Sequence, residues 1–257
     1  MPAERTTAHH GGAARGWYGH AVRNVLVLWD VDYTLINAGN SSTQLYGMVF
    51  RQLFGRELDG VAPMAGRTDR AIVLHTLERA GVSDPYRHVE AFLAGLADQA
   101  PGFRALVVER GRALPGAAAA LAALASLGPA HAVQSVVTGN IRPLAEAKLG
   151  ALGMTGHLDL DIGAYGDHHE NRAELVHLAR RNAARAYRQD FAGEAAVIVG
   201  DTPLDIAAAQ AAGARSVGVA TGASSVADLT AAAADAVLPD LTDADAVLTA
   251  IFGRTQP

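Results

Sequence analysis

An open, mainly parallel α/β sheet with helices on both faces, carrying an inserted all-helical segment, is the fold this sequence predicts. Two observations predict it. Short apolar runs alternate with longer helical patterns along most of the chain, and one stretch, residues 38–112, has several helical patterns but no convincing strand. With 257 residues, half of them apolar and 18% charged, the chain can bury a real core, and wholesale disorder is excluded.

Residues 1–21 hold Arg5, His9, His10 and Arg15 without the apolar centre of a signal peptide, and read as a poorly ordered leader. Residues 25–29 form a continuous apolar run ending at Asp30. A second run, 132–137, is diluted by Gln134 and Ser135 and ends at Thr138. Residues 158–164 are a weaker candidate, interrupted by Asp159 and Asp161. The run 195–199 ends at Gly200-Asp201, and 216–220 and 236–238 complete the series. Such runs, without polar alternation, suit strands covered on both faces. Between them Pro115, Pro143 and Pro203 suit first helical positions, and Gly128, Gly153 and Gly213 suit helix stops.

Inside the insert, residues 42–54 place Leu45, Met48, Val49 and Leu53 on one face ahead of Gly55. Residues 68–80 run from a capping threonine to Gly81, Asp84-Pro85 opens a third helix, and 103–110 makes a fourth. The expected division is a discontinuous core domain of residues 22–37 and 113–257, and a helical domain of residues 38–112 over the sheet's ligand-binding edge.

Composition narrows the function. The net charge of −5 argues against nucleic acid or an anionic membrane as the main partner. Without cysteine there is no thiolate chemistry, disulfide or zinc–thiolate site, which suits a cytoplasmic location. No apolar segment is long enough to span a bilayer. Lys148 is the chain's one lysine, so any mechanism needing a second is ruled out.

The first run delivers Asp30-Val31-Asp32-Tyr33-Thr34, and a later one delivers Gly200-Asp201-Thr202-Pro203-Leu204-Asp205. Two unit charges about 4 Å apart repel by roughly 4 kcal/mol at an effective dielectric near 20. Four acids at one sheet edge therefore call for a cation, and a hard divalent ion such as Mg²⁺ suits oxygen ligands. Thr138-Gly139-Asn140 adds a hydroxyl, a close backbone approach and a side-chain amide, sound donors for phosphate oxygens. Phosphoryl transfer is the natural reading, with Asp30 as nucleophile and Asp32 as the acid/base.

In this order, and each at a strand end, Asp30-x-Asp32-x-Thr34, Thr138-Gly139-Asn140 and Gly200-Asp201-Thr202-x-x-Asp205 resemble motifs I, II and IV of the haloacid dehalogenase superfamily. The helical insert resembles that superfamily's C1 cap, and the nearest likeness is to phosphoglycolate-phosphatase-like hydrolases. The resemblance covers residues 24–253. It implies a Rossmann-like core, an aspartyl-phosphate on Asp30, and a Mg²⁺ ion held by Asp30, the Asp32 main-chain carbonyl and Asp201, with Asp205 in support. Thr34, Gly139 and Asn140 would bind substrate, with Thr138 in the catalytic set. The superfamily's third motif is a cation before the last motif's strand. Here the commoner Lys-Pro pattern is missing: Arg172, opening a helix, is expected to fill the role, with Lys148 as runner-up because it falls too early and in mid-helix. Arg67, in Gly66-Arg67-Thr68-Asp69, is expected to touch the substrate.

Single residues sort the reactions of that scaffold. A dehalogenase needs no acid at position 32, and a Schiff-base phosphonatase needs a cap lysine that residues 38–112 lack. The expected activity is hydrolysis of a small soluble phosphomonoester. A phosphomutase of the β-phosphoglucomutase type, and a non-catalytic binding protein derived from a phosphatase, are the alternatives. His168-His169-Glu170 reads as a solvated loop, since adjacent ligands point apart.

Overall fold

The computed structural model describes residues 24–39 and 41–253. The expected leader, residues 1–21, lies outside the described residues. Strand β1 (Val25–Trp29) is followed by a two-residue strand, β2 (Ile36–Asn37). Four helices come next: α1 (Ser41–Phe54), α2 (Asp69–Arg79), α3 (Pro85–Asp98) and α4 (Ala100–Arg110). Strand β3 (Arg112–Ala113) then pairs antiparallel with β2, so one short ribbon ties together the two ends of the insert. After it come α5 (Ala117–Ser126), β4 (Ala132–Val136), α6 (Arg142–Ala151), α7 (Arg172–Tyr187) and β5 (Ala196–Gly200). The chain continues through α8 (Pro203–Ala211), β6 (Arg215–Val219), α9 (Val226–Ala231), β7 (Ala236–Leu238) and α10 (Ala244–Phe252).

The main sheet has the order β4-β1-β5-β6-β7, and every pairing in it is parallel. Its strands are largely apolar, as suits a sheet covered on both faces, with Gln134 and Ser135 in β4 and Arg215 and Ser216 in β6 as the polar members. Val25, Val27 and Trp29 join a core with Leu121, Leu124 and Ile251 on one side. Leu26 and Leu28 join Leu175, Val176 and Ala209 on the other. The apolar interior of the insert, including Phe50, Phe92 and Leu96, is continuous with the first of these cores. No helix among the described residues is long and apolar enough to cross a membrane.

Several local expectations change. Residues 158–164 form no strand; a single bridge joins Val137 to Ala164, and the main chain of Asp159 bonds instead to Gln134 and Ser135. Two aspartates and Gly163 leave that segment too polar and too pliant to pair along its length. Pro115 stands ahead of α5 rather than in it, and Pro143 takes the second position of α6. In α1 the buried stripe is Leu45, Tyr46, Val49 and Phe50. Met48 winds out of that stripe and is 49% exposed, while Leu53 sits in an exposed last turn.

Candidate active site

Register brings the expected residues to one edge. Trp29 lies level with Val136 on one side and Val199 on the other, so Asp30, Thr138 and Asp201 leave the sheet together. Their side chains meet at a cavity of about 210 Å³ beneath the insert, bordered also by Asp32, Gly139, Asn140, Lys148, Arg172 and Arg67.

Asp30, Asp201 and Asp205 are all buried, and each offers an oxygen within 4.8 Å of the others. The Arg172 guanidinium reaches in from the first turn of α7. Its Nη2 lies 2.8 Å from Asp30 Oδ1 and 2.5 Å from Asp205 Oδ1, and it also donates to the Val137 carbonyl at 3.3 Å. Asn171 caps that helix, accepting from the Ala173 N–H and fixing where α7 begins. Asp205 is held from behind by a capping box: its Oδ2 accepts from the backbone N–H and the hydroxyl of Thr202. Thr34 is wholly buried and donates to Asp201 Oδ1 at 3.4 Å; it does not border the cavity.

One guanidinium among three buried carboxylates leaves the cluster short of positive charge. Burial pushes the Asp30 carboxyl up to about 6; Arg172 opposes the rise, and Asp205 and Asp32 add to it. Burial likewise pushes Asp201 up to about 8, with Asp30 and Asp205 reinforcing it against Arg172. Asp205 Oδ1 is buried without a hydrogen bond and is paired with Arg172 through the ion pair. An all-oxygen donor set with this deficit fits a hard divalent cation.

Asp32 points elsewhere. Its Oδ2 accepts from Lys148 Nζ at 2.6 Å and from Asn140 Nδ2 at 2.8 Å, while Asn140 Nδ2 also donates to Thr138 Oγ1 at 2.8 Å. Thus Arg172 and Lys148, the two candidates for one cationic role, occupy two distinct positions. A sequence signal for Lys148 exists: it shares with Leu144, Ala145 and Leu149 the buried face of α6, and a lysine on an apolar face needs an acid partner.

The insert touches this edge through main chain and through side chains. Asp69 N–H donates to the Gly139 carbonyl at 2.6 Å, and Arg70 N–H donates to the Gly166 carbonyl at 3.1 Å. A Cβ on Gly139 would stand 1.9 Å from the Arg67 carbonyl oxygen, so only glycine permits this approach. The Asp69 carboxylate accepts from Tyr46 Oη at 2.6 Å and from the Ile141 N–H at 2.8 Å, a linkage the sequence reading missed. The Arg67 guanidinium turns towards His75 Nδ1 and donates to the Pro63 carbonyl at 3.3 Å. His168, His169 and Glu170 are exposed.

Among curated proteins, none matches the chain in sequence. Solved structures do match in fold. CbbY from Rhodobacter sphaeroides, in complex with phosphate, is 21% identical with a TM-score of 0.61, over 85% of this chain and 95% of that one. A haloacid dehalogenase-like family hydrolase from Streptococcus pneumoniae is 17% identical with a TM-score of 0.59, over 88% and 99%. A β-phosphoglucomutase candidate from Bacteroides vulgatus is 15% identical with a TM-score of 0.60, over 90% and 91%. At these identities the likeness speaks for the fold. The model of the haloacid dehalogenase-like hydrolases matches residues 27–210, most of the chain, and the chain belongs to that family.

Proposed function

We propose that the protein is a Mg²⁺-dependent phosphatase of small soluble phosphomonoesters, acting through an aspartyl-phosphate on Asp30. The observation that carries the reading is the buried cluster of Asp30, Asp201 and Asp205 around Arg172, with Asp32 two residues from the nucleophile and facing the same cavity. Asp30, the Asp32 main-chain carbonyl and Asp201 would hold the cation, supported by Asp205; when bound it supplies positive charge for the phosphate oxygens and the attacking carboxylate. Thr34 orients Asp201 from behind. The Thr138-Gly139-Asn140 loop cradles the phosphate, and Arg67, which borders the same cavity, would reach the substrate only by leaving His75.

Arg172 holds Asp30 Oδ1 and neutralises part of the charge gathered there. A carboxylate oxygen of Asp30 attacks phosphorus; the new O–P bond forms as the ester O–P bond breaks, and Asp32 gives its proton to the departing oxygen. Asp32 then takes a proton from water as the water oxygen attacks phosphorus, which releases inorganic phosphate and restores Asp30. The insert, covering the cavity as a cap, keeps bulk water out of the first step. The setting we infer is cytoplasmic.

Phosphate release from a panel of small monoesters, with Mg²⁺ and with EDTA, tests the reading. The expected result is Mg²⁺-dependent turnover that Asp30→Asn reduces by at least about 10³-fold while the thermal transition persists. Retained turnover in Asp30→Asn overturns the assignment of the nucleophile. Transfer of phosphate within a sugar phosphate, with none released, identifies a mutase instead.

A further inference from the structure

The chain's single lysine is not where a surface lysine would be. The Lys148 side chain is only 2% exposed, on the inward face of α6, with its Nζ 5.7 Å from the centre of the Phe103 ring. Besides Asp32 Oδ2, Nζ reaches Asn140 Oδ1 at 2.6 Å, and Asn140 in turn donates to the same Asp32 oxygen. Lysine, aspartate and asparagine thus close a three-membered ring of hydrogen bonds. Burying an ammonium is costly unless it is paired, and here one carboxylate and one amide supply the pairing.

Two consequences follow from the ring. Both donors fall on Oδ2 of Asp32, and neither reaches Oδ1, so the oxygen left for exchanging a proton with substrate or water is Oδ1. Both donors also fix the plane of the carboxylate, a restraint that a side chain 31% exposed would otherwise lack. Arg172 does neither: its Nη2 faces Asp30, Asp205 and the Val137 carbonyl instead of Asp32.

We infer that Lys148 is a positioning residue for proton transfer by Asp32, separate from the charge-neutralising work of Arg172 beside Asp30. The inference rests on the phosphatase reading above. Its signature is dependence on the leaving group. A nitrophenolate departs with little help from a proton, whereas a phenolate needs more, so misplacing the acid harms the second reaction selectively.

The test compares kcat/KM for p-nitrophenyl phosphate and phenyl phosphate in the full-length protein with Mg²⁺. In Lys148→Met the first is expected to fall by less than about threefold and the second by about 30-fold or more, within the usual range for general acid catalysis. Lys148→Arg, which keeps the charge, recovers part of the loss. In an Asp32→Asn background the lysine substitution adds less than about twofold on either ester, because it acts through that acid. Should Lys148→Met not fold, Lys148→Gln, which keeps a donor without the charge, enters the same comparison. Equal losses on both esters, or full additivity with Asp32→Asn, would overturn the inference and leave Lys148 as packing only. A parent protein inactive on both esters, or an active Asp30→Asn, would instead overturn the phosphatase reading.

Discussion

The strand edge and the helical insert face each other across one cavity and bring different things to it. The edge, with the two helices α6 and α7, supplies Asp30, Asp32, Asp201, Lys148 and Arg172. The insert supplies Met64, Ile72, Ser42 and Thr43, an arginine turned aside to His75, and Asp69, whose two oxygens are occupied by Tyr46 and Ile141. Neighbouring parallel strands fix the ends of β1 and β5 from both sides, so the like charges of Asp30 and Asp201 can be held together there against their repulsion. The insert meets that edge through two backbone bonds from Asp69 and Arg70 and through the side chains of Thr68, Asp69 and Arg70, whose partners there are main-chain groups.

Of the changes that bear on this contrast, breaking the contact between the two regions has the largest expected effect. Gly139→Ala places a methyl group 1.9 Å from the Arg67 carbonyl oxygen, and the next loop is equally tight, since a Cβ on Gly166 would meet the Gly139 carbonyl oxygen at 1.7 Å. Neither obstacle is the flexible end of a side chain, so the insert or the phosphate-cradling loop must move. The expected cost is about 1–3 kcal/mol of stability, with kcat/KM down by about 100-fold or more. Thermal melting and a phosphate-release assay check it; near-parental activity would show that the close approach is dispensable to the site.

How much of this was legible in the sequence also divides along that line. β1 and β5 are read directly, because an apolar run ending in an acid leaves few other structures available, and Asp30 and Asp201 meet as their strands require. Arg172 follows from its place at the head of a helix after the second motif. The contacts of the insert are another matter. Asp69 looks like any first-turn acid behind a capping threonine, and nothing local says that its carboxylate reaches the Ile141 N–H of the core. Lys148 was recognisable as a candidate cation, but one role for two cations hid that each serves a different aspartate. Pairings between segments far apart in sequence leave no periodic trace, and these are such pairings.

A smaller effect sharpens the contrast in charge. With Asp30 raised to about 6 and Asp201 to about 8, the metal-free folded state holds protons on these acids more tightly than the unfolded chain does. The stability they contribute is fully present below their ordinary value of 3.8 and is lost as pH climbs through 6 and then 8. In EDTA the melting temperature should therefore fall across that window. Mg²⁺, which favours the charged forms, should raise it more at the alkaline end than at the acid end. Asp201→Asn removes the upper part of the slope. A flat profile in EDTA, with a pH-independent Mg²⁺ gain, would mean that the cluster is already neutralised by groups of its own.

The smallest effect concerns the outer surface of the insert. A stripe of Leu45, Met48, Val49 and Leu53 would make Met48 part of the packing, and its truncation or polar replacement would then cost a few kcal/mol. The stripe that α1 buries instead runs through Tyr46 and Phe50: Phe50 stacks near Phe54, with ring centroids 4.7 Å apart, and Tyr46 near Phe92, at 5.5 Å. Aromatic rings bury more area than a methionine, so they decide which way the helix turns. Met48 is left on the solvent side at 49% exposure. Met48→Gln is accordingly expected to change stability by no more than about 0.5 kcal/mol and to leave kcat/KM untouched, as measured by melting and by phosphate release. A loss beyond about 2 kcal/mol would mean that α1 is turned so that Met48 packs inward, and with it that Tyr46 does not reach Asp69 from this helix.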